Sequence, residues 1–440
     1  FEVKRSRSIK PRTVLGFAAP ASPRHAPIRL FRVGSAMQKV VLLSFVAATT
    51  SARTVSGVHT GKHVVGTASE RAAYKGLVGT VACGPKIWSM SFSPDGRHFV
   101  IQDSDALRVW SAGDHVVQKR SWAREERRAG LSEVRFLQDS ESIVALPGRD
   151  ELRATGETYH IETGVVESRF RWKGYVEHVS PSGKLQVLTP IDYNVHQNEP
   201  EPIVRGGVTA GAHEELVLFH DPDVENIEST VELVVFSPSE SHVLTKRWTS
   251  NWVRVWHAQT GTSVAALNSK TIVERVAFSP DARTVLICGS GELTLWETHR
   301  AVPTRQWLGH AADSEVKFAS FSPNGREILT VATDGKAKVW DPRSRKCIRQ
   351  LEDRSGVHSV KVSSDFKRLL IVTGDSIKVW ALRRFTLVIE LDKAAMNVGS
   401  DNLLVGSCED LIADLSPDGR YVIAACNDGK QAGIWDVTSA

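Results

Sequence analysis

The chain has 440 residues, 41% of them hydrophobic, which is enough to bury a sizeable core. Its formal charge of +5 belongs to residues 1–66, where eleven Lys and Arg face a single acid, Glu2, and residues 67–440 are left with 44 basic and 49 acidic residues. A mildly acidic body is not a polyanion-binding surface by net charge, and the five scattered cysteines (Cys83, Cys288, Cys347, Cys408, Cys426) argue against a disulfide framework and a zinc site, being odd in number and without Cys-x-x-Cys or Cys/His spacing.

In chain order, residues 1–36 are rich in Arg, Ser, Pro and Ala and nearly lack acids, the composition of a disordered or transit segment. Because the first residue is Phe, an incomplete open reading frame is expected. Met37 opens a second signal, with one Lys, an apolar run from Val40 to Ala48 and small residues ending at Ala52. That pattern resembles a secretory signal peptide starting at Met37, the alternative being a β-rich segment docked on the body. The run is too short to span a bilayer. No Asn-x-Ser/Thr sequon occurs, which disfavours a glycosylated extracellular protein. The expected organisation is a basic tail over 1–66 and one repeat domain over 67–440, with an intracellular, cytoplasmic location and the secretory pathway as the alternative.

From about residue 87 the chain repeats one plan. A turn anchor recurs at Phe92, Phe136, Val179, Phe236, Phe278, Phe321, Val362 and Leu415, followed by Ser-Pro in six of the eight cases. An aromatic residue is expected to close a third strand at Trp110, Tyr159, Phe219, Trp256, Trp296, Trp340, Trp380 and Trp435. Both rulers count eight units, at the period expected of propeller blades. Unit two is degenerate, with Tyr159-His160 in place of Trp-Asp. Unit three carries a predicted insertion from Pro190 to His213, and Arg247 to Trp252 forms the corresponding loop of unit four. A second insertion runs from Lys393 to Asp410. The chain stops soon after Trp435-Asp436, so unit eight has three strands, and Ala73–Val78 falls in the register of its missing outer strand. Pairing of the two ends would close the ring and remove an exposed sheet edge.

The clearest unit is Gly309 to Asp341. Ser322-Pro323-Asn324-Gly325 is a tight turn, Glu327 to Ala332 an apolar strand, Asp334-Gly335 a second turn, and Lys336 to Trp340 an alternating strand. Gly309-His310, the Ser-Pro-Asn-Gly turn, Asp334 six residues before Trp340, and Trp340-Asp341 together resemble the WD-repeat β-propeller family. The resemblance implies an all-β fold: a single propeller of eight four-stranded blades closed by its N- and C-terminal segments, or seven should a degenerate repeat form no blade. It also implies a structural network of His310, Asp334 and Trp340. The hydroxyl member usually lies two residues before the Asp, here Ala332, so the network is expected to be incomplete.

In a meander, loops from second to third strands and connections from outer strand to the next inner strand leave on one rim, which the resemblance makes the partner-binding face. Trp122, Arg127, Arg128, Arg171, Trp172, Lys173, Arg247, Trp248 and both insertions fall there. Trp and Arg are enriched among binding hot spots, so the set points to an acidic or aromatic segment of a partner protein. The alternative for each is a Trp packed between blades or an Arg as a solvated charge. Gly57 to Lys62 is one residue short of a phosphate loop, and no Gly-x-Ser-x-Gly, His-Glu-x-x-His or Gly-x-Gly-x-x-Gly occurs. The expectation is a non-enzymatic scaffold, a subunit of a complex that binds other proteins or peptides and takes no cofactor or metal. A nucleic-acid-associated propeller, using the tail and residues 119–128, and an enzyme with a central-channel site are the alternatives.

Overall fold

The computed structural model describes residues 76–440 except 124–130, 148–154, 172–173, 191–202, 207–214, 218–230, 248–249, 354, 394–407, 409 and 439–440. The tail, the Met37 segment and most of both insertions therefore lie outside the described residues.

Eight four-stranded antiparallel sheets follow one another along the chain. The burial pattern shows why each sequence stretch takes its place. Second strands are apolar runs covered on both faces: Ile328–Ala332 and Tyr421–Cys426 are buried at every position. Outer strands such as Val302–Leu308 are largely exposed and carry the polar residues. All eight turn anchors end first strands, as the first ruler requires.

The residue after the anchor explains the turn. Ser93, Ser279, Ser322, Ser363 and Ser416 each donate a side-chain hydrogen bond to the Asp or Asn two residues on, at 2.6–2.8 Å. The same hydroxyls accept the amides of His98, Thr284, Glu327, Arg368 and Tyr421 at 2.8–2.9 Å. The backbone polar groups of the turn are thus satisfied locally.

The ring closes through its ends. Leu77–Ala82 pairs with Gln431–Asp436, with Thr80 opposite Gly433 and Val81 opposite Ala432, and becomes the outer strand of blade eight. The strand begins four residues later than the expected Ala73. A bulge between Leu77 and Gly79 shifts the register of this pairing by one residue.

Blade three departs from expectation. Its third strand is Ile203–Gly206, which carries no aromatic residue, and its outer strand is Glu215–Val217; the expected closing residue Phe219 lies outside the described residues. The presumed insertion contains strand: Ile203-Val204-Arg205 pairs with Gln186–Leu188 despite flanking proline and glycine residues.

The core lies between blades. Each closing aromatic packs against the preceding blade: Trp340 with Leu286, Leu293 and Leu295, Trp296 with Leu244 and Val253, and Trp435 with Leu370 and Val372. Trp110 meets Ile423 and Ile434 of blade eight, so the same contact runs through the closure.

The cysteine expectation is corrected. Cys408 and Cys426 form a disulfide, their Cα atoms 5.4 Å apart. Leu411 pairs with Cys426 across the first two strands of blade eight, and this brings Cys408 alongside. Cys408, Cys426 and Asp428 are the one cluster of potential metal ligands among the described residues, and the disulfide occupies both sulfurs.

Candidate partner-binding rim

His310 sits between the outer strand of blade five and the first strand of blade six; Asp334 sits in the turn between the second and third strands of blade six. His310 Nδ1 is 3.1 Å from both Asp334 oxygens, and Nε2 is 2.7 Å from Thr330 Oγ1. The Trp340 indole N–H donates to the same Thr330 oxygen at 2.9 Å. One proton order satisfies every group: neutral His310 donates from Nδ1 to the carboxylate, the Thr330 hydroxyl donates to Nε2, and its oxygen accepts from the indole.

Burial drives the His310 imidazole below its ordinary pKa, against the opposing pull of Asp334. Burial alone would raise the Asp334 carboxyl, but His310 and the amides of Ala311 and Lys336 hold it below its ordinary value. Both shifts favour the pair as drawn, imidazole with carboxylate.

The hydroxyl member is therefore Thr330, four residues before Asp334, and the expectation of an incomplete network at Ala332 is corrected. Strand pairing supplies the reason. Trp340 is opposite Ile328, and the acceptor is two residues beyond that partner, on the same face. The rule transfers to blade four, where Trp256 is opposite Val243 and its indole donates to Thr245 at 2.8 Å. Elsewhere the position is apolar: Ile101 for Trp110, Ile287 for Trp296 and Ile371 for Trp380. Those three indole nitrogens are buried without a hydrogen-bond partner.

Two residues before the closing aromatic, a cation recurs. Arg108 pairs with the fully buried Asp103. Lys338 donates to the Gly309 carbonyl at 2.6 Å and lies 5.4 Å from the Trp340 ring centroid. Lys378 reaches Asp353 at 2.8 Å and Ser355 at 3.0 Å. Burial alone would lower the Lys378 ammonium; Asp353 and Glu390 hold it above its ordinary value. In blade eight the position is Gly433, where a Cβ would stand 2.2 Å from the Trp435 ring. In blade four the position is the buried Arg254, while Lys246, on the second strand, pairs with Glu232 of the first. Arg108 ties the third strand of blade one to its second-to-third turn, and Lys338 and Lys378 tie third strands to the connection from the preceding blade. They are structural charges whose partners are part of the fold.

The sequence-predicted contact residues divide. Trp122 is half-buried in the outer strand Gln118–Ala123 of blade one. Its ring centroid lies 5.0 Å from that of Tyr159, and its N–H donates to the Gly164 carbonyl at 3.1 Å, so it bridges blades one and two. Arg247 was expected in mid-loop. It is instead the last residue of the second strand His242–Arg247, opposite Val231, and only 5% exposed. The loop is shorter than the sequence suggested because the strand continues through Lys246 and Arg247. Arg171 ends the outer strand Val166–Arg171. Arg127, Arg128, Trp172, Lys173 and Trp248 lie outside the described residues. Sequence reasoning missed Thr330 and the Arg108, Lys338 and Lys378 series, whose signal is their fixed offset from the closing aromatic.

Comparison with known proteins agrees with this architecture. A family profile described as "WD domain, G-beta repeat" matches residues 301–341, the unit that contains the complete network. The chain is 24% identical over 201 residues to target of rapamycin complex subunit wat1 of Schizosaccharomyces pombe, covering 45% of this chain and 60% of the relative. It is 28% identical over 170 residues to pre-mRNA-splicing factor cwf17 of the same yeast, covering 37% and 49%. With protein groucho of Drosophila melanogaster it shares 23% over 192 residues, covering 37% and 26%. In each case the matched part is less than two thirds of the relative's own length. The C-terminal WD40 domain of Sif2 superposes with a TM-score of 0.60 at 10% identity, covering 82% of this chain and 97% of that one. The computationally designed Ika8 protein superposes at 0.57 and 18% identity, covering 81% and 97%. The eight-sheet ring and these superpositions give the chain the fold of WD-repeat β-propellers, and its unit at residues 301–341 matches that family's repeat.

Proposed function

We propose that this propeller is a non-enzymatic scaffold that binds partner proteins on the rim carrying its second-to-third loops. The observation that supports it is the commitment of that rim's buried polar groups. His310, Asp334, Asp103 and Lys378 are each held by partners within the fold, as structural residues are, rather than converging on an open polar site. The relatives' names favour the same reading, since one is a complex subunit and another a splicing factor. Among the described residues no helix is long and apolar enough to cross a membrane.

On this reading the contacts come from Arg127, Arg128, Arg171, Trp172, Lys173 and Trp248, while Trp122 and Arg247 support the strands from which those loops leave. Trp248→Ala in the full chain should weaken capture of a partner by about 2 kcal/mol, the hot-spot scale, with the melting temperature unchanged. Arg247→Ala, by removing a buried side chain, should lower the melting temperature. A partner lost from Trp248→Ala with equal stability supports the rim. Equal capture by wild type and by Trp248→Ala combined with Trp172→Ala overturns it, and retention of nucleic acid with steep salt dependence would favour a nucleic-acid role.

A further inference from the structure

The opposite rim carries the first-to-second and third-to-outer turns, and between blades five and six it opens into a cleft of about 1050 Å³. At its inner end the two Ser-Pro turns meet: a Cβ on Gly325 would stand 3.6 Å from Pro280 Cδ. Three carboxylates line the cleft, and each is already engaged by its own chain. Asp281 accepts Ser279 Oγ at 2.6 Å and the Arg283 amide at 3.1 Å. Glu327 accepts Arg349 at 2.8 and 2.9 Å. Asp341 accepts Ser344 Oγ at 2.6 Å and the Arg343 amide at 2.9 Å.

The cations are treated differently. Arg305, Arg326, Arg343 and Lys346 also line the cleft, all four are exposed, and none forms an ion pair among the described residues. Beside them Ile348 is 47% exposed, and Phe321 forms part of the wall. Glu327 is paired with Arg349, and Asp281 and Asp341 keep their charges within their own turns, Asp341 beside Arg343, so the four exposed cations outnumber the two carboxylates that lack an ion pair. This charge asymmetry selects an anionic occupant.

We propose that this cleft is a second docking site, independent of the rim above, which takes an extended acidic segment of a partner protein bearing an apolar residue that covers Ile348. A short acidic peptide fits better than nucleic acid because the cleft is a local exception on an acidic body. Residues 67–440 hold 49 acidic and 44 basic residues, so a polyanion running past the cleft would meet repulsion that a peptide ending within it avoids.

The test is fluorescence anisotropy on the full chain with a fluorescein-labelled dodecapeptide of Glu and Asp carrying Leu at every fourth position. The triple variant Arg305→Glu, Arg326→Glu, Arg343→Glu should raise Kd by at least about tenfold, as expected for reversing three complementary charges. Trp248→Ala, on the other rim, should leave Kd unchanged, which separates this site from the rim reading. Ile348→Ser should weaken the Leu peptide and not its Ala counterpart. Should the triple Glu variant melt early, the Gln triple at the same positions replaces it, with a smaller rise in Kd expected. The proposal is overturned if wild type does not bind the peptide or if a correctly folded triple variant binds it equally well. It is also overturned if oligothymidylate binds wild type more tightly than the peptide and is the ligand the variant loses.

Discussion

Blades five and six share the same strand order, the same turn anchor and the same closing tryptophan, and they differ in how polar groups are settled around it. In blade six Thr330 accepts from Trp340 and donates to His310, which holds Asp334. In blade five Ile287 stands at the Thr330 position, and the Trp296 nitrogen is buried without an acceptor. Blade five binds its loops another way: the Glu274 carboxylate accepts the Ser290 amide at 3.1 Å and, across the blade boundary, the Val316 amide at 2.7 Å. The difference teaches that apolar packing on the preceding blade positions the tryptophan, and the polar network is added to that packing. An orphaned buried donor costs about 1–3 kcal/mol, which burial of an indole can absorb.

The largest test removes the shared part. Trp340→Ala should destabilise by about 3–5 kcal/mol, as a large core truncation does; urea unfolding would measure it, and unchanged stability would refute the packing role. The next exchanges the part that differs. Thr330→Val should cost about 2–4 kcal/mol, because it leaves two buried groups, His310 Nε2 and the Trp340 N–H, without their partner. The converse change, Ile287→Thr, should fall within about 1 kcal/mol of wild type, since the new acceptor for Trp296 offsets lost apolar burial. Equal costs for the two would mean that the network contributes nothing beyond side-chain volume.

How far the sequence disclosed this depends on the range of the interaction. Turn anchors are local: a hydroxyl that holds the backbone five residues on leaves a Ser directly after the anchor in seven of the eight turns, and all eight anchors end first strands. Closing aromatics were legible where a Trp marked them, but Phe219 misled, because in blade three the third strand carries no aromatic. Thr330 was missed because its partner is defined across the sheet by Ile328 and Trp340, not by distance along the chain from Asp334. The Cys408–Cys426 bond is likewise a cross-strand fact. Arg247 looked like loop because Lys and Arg usually mark solvent, and two consecutive cations gave no sign of a strand end that buries both. The contact residues at 127–128, 172–173 and 248 rest on the sequence alone.

Acidification should separate the two blades further. Burial keeps His310 neutral in the fold, with its pKa below the ordinary value near 6.5. The unfolded chain then binds the extra proton first, so stability is intact above about pH 6.5 and is lost as pH falls below it. Asp334, held below its ordinary value, adds a loss in the same direction at lower pH. His178, pushed down to about 4 by burial and by Arg135, contributes a separate acid sensitivity. The informative quantity is therefore the difference between variants. From pH 7.5 to 5 the melting temperature of wild type should fall more steeply than that of His310→Gln. Parallel slopes would mean that His310 keeps its proton affinity on folding.

The smallest effect concerns the turns, where blade five again departs from blade six. The fourth turn residue has positive φ in every blade: glycine at Gly96, Gly183, Gly325 and Gly419, but Ser140, Glu240, Ala282 and Phe366 in the others. A left-handed L-residue costs about 1–2 kcal/mol. The four exceptions each have an offsetting contact or burial. Ser140 Oγ accepts the Asp95 amide at 3.1 Å, and Glu240 takes the Ser182 amide and hydroxyl at 2.6 and 2.5 Å. Phe366 packs in the core of blades six and seven. Ala282 has only its methyl, which is 6% exposed. Ala282→Gly relieves the backbone at φ 57°, loses one buried methyl and adds freedom to the unfolded chain. These terms leave a net stabilisation of up to about 0.5 kcal/mol. A destabilisation above about 1 kcal/mol would show instead that the methyl's packing against blade four outweighs the strain, making the alanine a packing residue where its neighbour in blade six has a pure turn residue.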